Sequence, residues 1–188
     1  MFAAIAAGTP GLANVLVTAT GAAVGAVLGT PCLLGVSIGT GALLDAVALG
    51  LGTLVLSVPA LLLIMKVAGA ALLLWLSWQI ASAPPPTHAG EHEPVGFFTA
   101  AALQWVNPKS WMIAVSAAAT YPRTDDGSVW LQGLWFAGLF TLVAVPAVGV
   151  WLVFGAGVQH RITSEGGWRI FNTSMGCLLA ASVLFVFL

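Results

Sequence analysis

The sequence predicts an all-α integral membrane protein of six transmembrane helices, built as two inverted three-helix repeats with the first helix of each half broken at a proline. Three observations predict it. Of 188 residues, 60% are hydrophobic and only 6% charged, too few charges to solvate the surface of a water-soluble domain. The charges are also grouped: residues 1–44, 127–160 and 170–188 carry no Asp, Glu, Lys or Arg. A span needs about 20 apolar residues, so the charge-free length holds roughly six. Finally, Thr9-Pro10-Gly11 and Asn107-Pro108-Lys109 interrupt apolar segments of membrane length. The residue before a proline is pushed out of the α region, and proline suits the first position of a new helix. Matched breaks in two halves of a membrane chain point to a transporter binding site.

The first span covers 1–23, and without a positively charged leader or a cleavage point it reads as a retained span rather than a signal peptide. The second covers 27–53. Nothing polar separates these two. Gly21, Gly25 and Gly29 recur every four residues, which equally suits a close helix–helix packing face, and Gly29-Thr30-Pro31 is an alternative turn. The third span, 59–82, follows Ser57-Val58-Pro59, with Pro59 in its first turn. Residues 84–94 form a stiff, polar, proline-rich linker. It divides a single transmembrane domain, 1–188, into a first half, 1–83, and a second half, 95–188.

The fourth span, 95–121, ends at the exposed turn Pro122 to Gly127, and the fifth covers 129–157. The connection from His160 to Trp168 leads to the sixth, 168–187. Three spans per half force the halves into opposite orientations. Lys and Arg divide two against two between the sides and set no orientation. The eight tryptophans fall mostly near span ends, as interfacial anchors do.

The chemistry centres on the breaks. Neither half of the fourth span crosses a hydrocarbon core of about 30 Å alone, so Asn107 lies near mid-depth, placed to cap the half-helix that Pro108 begins. Unpaired N–H groups at such a start, with the helix dipole, suit a carboxylate. Thr9, Pro10 and Gly11 offer the same device in the other half, and Gly11 lets a ligand approach the backbone. Lys109 stands in the first turn after the break, where a cation opposes the dipole by about 0.3–1 kcal/mol. Mid-membrane placement costs about 2.5–3.5 kcal/mol more. Lys109 therefore marks an anionic contact or a wet cavity. Asp45 shares a helical face with Gly41, Ala48 and Gly52, small residues that let a neighbouring helix approach. It has three roles open to it: holding a substrate ammonium, carrying a proton, or neutralising Lys109. Asn14, one turn past the first break, and Gln104, one turn before the second, can supply neutral hydrogen bonds to a zwitterion.

Other features are bland. Cys32 and Cys177 stand in apolar stretches without C-x-x-C spacing and read as packing residues. His88, Glu91, His92 and Glu93 read as a solvated loop rather than a metal site. No catalytic motif and no phosphate-binding glycine loop is present, so the sequence implies neither an enzyme nor a cofactor. No basic patch supports nucleic-acid binding.

On these residues the chain resembles the LysE-type, or RhtB-type, amino-acid exporter family. Thr9-Pro10-Gly11-Leu12-Ala13-Asn14 resembles the T-P-G-P-N-N-like motif of the family's first span, with Leu12 and Ala13 as departures. Gly35-x-x-x-Gly39 resembles its second-span glycines, and the run from Lys66 to Trp78 its third span. Gln104 to Lys109 resembles its N-P-K signature, and Phe171 to Met175 the last span of one subgroup. The resemblance implies six spans in a bacterial cytoplasmic membrane. It also implies efflux of amino acids or related small zwitterions, driven by a proton or other ion gradient. Asp45 matches no family position. Membrane lipid and a small zwitterionic substrate are the expected partners, and a homodimer is left open. Three rival readings remain: a thiol-redox conductor using both cysteines, a divalent-cation exporter, and a non-transporting scaffold.

Overall fold

A computed structural model describes residues 1–8, 11–84, 95–120 and 129–184. Within these residues the chain is helical throughout, with eight helices: α1 (Phe2–Gly8), α2 (Leu12–Ala48), α3 (Leu51–Ser57), α4 (Pro59–Ser82), α5 (Phe97–Val106), α6 (Pro108–Thr120), α7 (Val129–Arg161) and α8 (Glu165–Ala181). Three stretches are long and apolar enough to cross a membrane: Leu12–Ala48, Leu63–Ser82 and Trp130–Val158.

The first of these is not a straight rod. At Gly25 the backbone takes φ 80° and ψ 175°, a conformation that side chains exclude and glycine alone adopts readily. Thr20 Oγ1 lies 3.7 Å from Cys32 Sγ. Twelve residues of continuous helix would separate them by about 18 Å. Residues 12–24 and 26–48 are therefore the two arms of a helical hairpin. The expected turn between the first two spans is at Gly25, and Gly29-Thr30-Pro31 lies within the second arm.

Several boundaries differ from the expectation. The second arm stops at Ala48 rather than residue 53. Leu49 N and Gly50 N bond to Asp45 O and Val47 O, and Gly50 at φ 108° turns the chain into α3. Helix α7 continues to Arg161, past residue 157. Helix α8 begins at Glu165, three residues before the expected start, because Ser164 Oγ caps it by accepting from Gly167 N at 3.1 Å. Helix α4 begins at Pro59 and ends at Ser82, as the sequence predicts. Most of the polar linker, residues 85–94, and the turn from Pro122 to Gly127 lie outside the described residues.

Small residues set the packing. Gly35 seats the backbone of Phe97, and Gly39 that of Ala101, where a Cβ would stand 2.7 Å from Ala101 Cα. The second arm of α2 thus runs parallel to α5 at contact distance. It runs antiparallel to α7, with Gly41 against Ala137 and Thr141, and Asp45 against Gly133. The first arm crosses the far half of α7, with Gly21 against Leu152 and Thr18 against Gly155. Helices α4 and α8 are antiparallel, joined where Ser77 Oγ donates to Gly176 O at 2.7 Å and Asn172 Nδ2 to Ala83 O at 3.0 Å. Leu16, Leu43, Leu73, Leu103 and Leu179 fill the centre, while Leu63, Ile64, Leu142, Val150 and Ile170 face outward. An apolar exterior over hydrogen-bonded helices is what a bilayer demands.

Candidate functional site

The first break falls between α1 and α2. It frees the last carbonyls of α1, which buried surroundings would leave costly. Asn14 Nδ2 donates to Ala7 O at 3.0 Å, and the Trp151 indole of α7 donates to Gly8 O at 3.2 Å. Gly11 caps α2 in extended backbone. Thr9 and Pro10, both expected site residues, lie outside the described residues.

The second break is at Asn107, whose extended backbone (φ −82°, ψ 113°) separates α5 from α6, as the following Pro108 requires. Asn107 Oδ1 accepts from Lys109 N at 3.0 Å, the cap expected of it. Trp111 Nε1 satisfies the freed Trp105 O at 2.7 Å. Gln104, wholly buried, ties the break together. Its Oε1 takes Ser110 Oγ at 2.9 Å, lies 3.3 Å from Thr40 Oγ1 and 3.4 Å from Asn107 Nδ2, and its Nε2 donates to Ala100 O at 3.0 Å.

The two breaks meet. The Lys109 side chain runs over Gly11, so that a Cβ there would stand 2.9 Å from Cδ and 3.2 Å from Nζ. Between them is a cavity of about 30 Å³, room for one or two waters. Asn14, Ser37, Thr40, Gln104, Asn107, Lys109 and Ser110 supply its polar wall, and Phe140, Ala144 and Val148 near the middle of α7 its apolar one. Among the described residues, Lys109 is the only charged group in this lining. Ser37 is fully buried, and among the described residues its Oγ has no hydrogen-bond partner. The cavity therefore presents a cation, polar amide groups and the Ser37 hydroxyl to a small polar guest.

Of the expected site residues, Asn14, Gln104, Asn107 and Lys109 line this cavity, and Gly11 and Pro108 stand at its edges. Asp45 does not line it. It lies eight residues beyond Ser37, about 12 Å along the helix, against Gly133. Ser37, Thr40, Ser110 and the two capping tryptophans were not singled out by the sequence. Ser110 directly follows the Asn107-Pro108-Lys109 break and Ser37 lies between the packing glycines Gly35 and Gly39, which was the available signal.

A second, larger cavity of about 420 Å³ opens between the first arm of α2, α4 and α8, bordered by Thr20, Gln79, Trp168 and Asn172. Cys32 is buried beside Thr20 and Cys177 is exposed, both as free thiols. Among the described residues no group of three or more His, Cys, Asp or Glu could hold a metal ion.

Comparison with known proteins follows the same lines. The profile of the LysE type translocator family matches residues 4–187. A cysteine/O-acetylserine efflux protein of Escherichia coli (strain K12) is 31% identical over 186 residues, covering 97% of this chain and 92% of the relative. The protein of the same name from Shigella flexneri serotype 5b (strain 8401) has the same identity and coverage. That of Klebsiella pneumoniae subsp. pneumoniae is 35% identical over 121 residues, 62% of this chain and 58% of the relative. No solved structure matches the chain.

Proposed function

The chain belongs to the LysE type translocator family, and from that premise we propose that it exports small neutral amino acids across the bacterial cytoplasmic membrane by secondary active transport. It is a multi-pass membrane transporter and not an enzyme. The relatives' names point to cysteine and O-acetylserine as the substrates to test first.

The observation that carries this reading is the meeting of the two helix breaks at Lys109 and Gly11. The Lys109 ammonium, at the start of α6, receives the substrate carboxylate, aided by the positive end of the helix dipole. The side-chain oxygen of Asn14, which lines the cavity, receives the substrate ammonium. The Ser37 and Ser110 hydroxyls face the substrate side chain. A lining with one charge, and that one balanced by the carboxylate, favours neutral side chains over acidic or basic ones.

Six crossings account for the packing directions: α1 with the first arm, the second arm, α4, α5 with α6, α7, and α8. The second and fourth run parallel, and the third and sixth antiparallel, as alternating crossings require. Inverted halves 1–83 and 95–188, moving about the cavity, give alternating access. The cavity of about 30 Å³ is too small for an amino acid, which fits a closed step of that cycle.

The test is efflux from membrane vesicles preloaded with labelled cysteine, O-acetylserine, lysine or glutamate, with and without a proton gradient. The expected result is release of the two neutral solutes beyond control vesicles. Equal release from vesicles with and without the protein, for every solute, would refute the reading.

A further inference from the structure

Both buried side-chain oxygens that lack a hydrogen-bond partner among the described residues belong to the second arm of α2: Ser37 Oγ in the central cavity, and Asp45 Oδ1. The first is explained by the substrate site. The second is not, since Asp45 does not line the cavity.

Asp45 is the only carboxylate in α2, α4, α5, α6 and α7. Its Oδ1 is pressed against Gly133 in the first turns of α7, a residue with no side chain to donate to it. The charged and titratable groups of the elements packed against this arm are few. Helices α3 and α5 have none, α6 has Lys109 in its first turn, α7 has His160 and Arg161 in its last, and α2 itself has Cys32. A structural carboxylate would be paired. Only one of its two carboxylate oxygens is sealed in this way and the residue is half-buried, so the acid sits in a helix seam within reach of a proton.

We infer that Asp45 is the proton-binding group that couples export to a proton gradient, at a position separate from the substrate cavity. The inference rests on the exporter reading above. A proton arriving from outside neutralises the carboxylate and lets the seam between α2 and α7 close over it. Release of that proton to the cytoplasmic side leaves an anion that draws water into the seam beside Gly133. The seam is continuous with the cavity, because Phe140, Ala144 and Val148 of α7 form its apolar wall. The same helix holds the end of α1 through Trp151. Each cycle moves one proton inward and one zwitterion outward, hence one positive charge inward.

The experiment uses the full chain in liposomes with labelled cysteine, kept reduced, and O-acetylserine. Two readouts are taken: counterflow at equal pH on both sides, which needs only substrate binding and alternation, and accumulation driven by a pH gradient. Asp45→Asn, of nearly the same shape, is expected to keep counterflow and lose gradient-driven accumulation, while Lys109→Ala loses both. Accumulation retained in Asp45→Asn would overturn the proton site and leave the exporter reading intact. Loss of counterflow in Asp45→Asn would overturn it too, by making Asp45 part of the substrate site or the scaffold. A wild-type protein without counterflow for either solute would remove the exporter reading and this inference together.

Discussion

The stem of Lys109 lies across the backbone of Gly11, joining two motifs that are almost a hundred residues apart in the chain. A Cβ at position 11 would stand 2.9 Å from Lys109 Cδ. The backbone of Gly11 is extended, so glycine is needed there for space and not for conformation. Gly11→Ala is therefore expected to fold, because the obstructed atoms belong to a flexible side chain, yet to displace the ammonium from the cavity. Efflux from preloaded vesicles should fall by about tenfold, corresponding to about 1.4 kcal/mol, at unchanged membrane abundance.

Lys109→Ala removes the only charge that the described residues bring to the cavity. A hydrogen bond to a charged group is worth about 1.5–3 kcal/mol, so transport should drop roughly 10- to 100-fold. Lys109→Arg should recover part of the activity, since it restores the charge but presents a planar fork in place of a compact ammonium. Efflux that is equal in all three proteins would exclude Lys109 from the substrate site.

Gln104→Leu tests the scaffold rather than the site. It leaves Ser110 Oγ and Asn107 Nδ2 without the amide oxygen they share, while Thr40 Oγ1 keeps its bond to Val36 O. Unsatisfied buried groups cost about 1–3 kcal/mol each. The thermal unfolding midpoint of the detergent-solubilised protein should fall by several degrees, and an unchanged midpoint would mean that the network carries little of the fold.

Ser37→Ala separates function from stability. The hydroxyl has no partner among the described residues, so removing it should leave the unfolding midpoint unchanged or slightly raised. Apparent affinity for a substrate whose side chain bonds to it should weaken by about five- to tenfold, the value of one neutral hydrogen bond. A drop in the unfolding midpoint with normal transport kinetics would reverse the assignment.

The second break was legible because proline acts through local sterics. Asn107 had to leave the helix, and its side chain was the nearest cap for the N–H that follows. The start of α4 at Pro59 was legible for the same reason. The hairpin at Gly25 was ambiguous because a glycine that turns the chain and one that packs against a neighbour look alike in sequence. Gly21 does the second and Gly25 the first. Asp45 shares its face of α2 with Gly41 and Ala48 as expected, but Gly52 falls in α3 beyond the turn at Gly50; which part of α7 meets that face is a matter of register between helices, which no local pattern encodes. Ser37 and Thr40 were missed because hydroxyls in apolar helices commonly bond their own backbone. Thr40 does so, to Val36 O at 2.9 Å, whereas Ser37 does not.

The reversal at residue 25 has a consequence for biosynthesis. A nascent chain that failed to bend there would present residues 12–48 as one rod of about 55 Å, nearly twice the thickness of the hydrocarbon layer. The insertion machinery would then count one crossing where the native protein has two. Every later crossing would enter with the wrong parity, sending the linker and both remaining loops to opposite compartments. The count of crossings in this chain thus depends on a single achiral amino acid, while its evenly divided cationic side chains offer no correction.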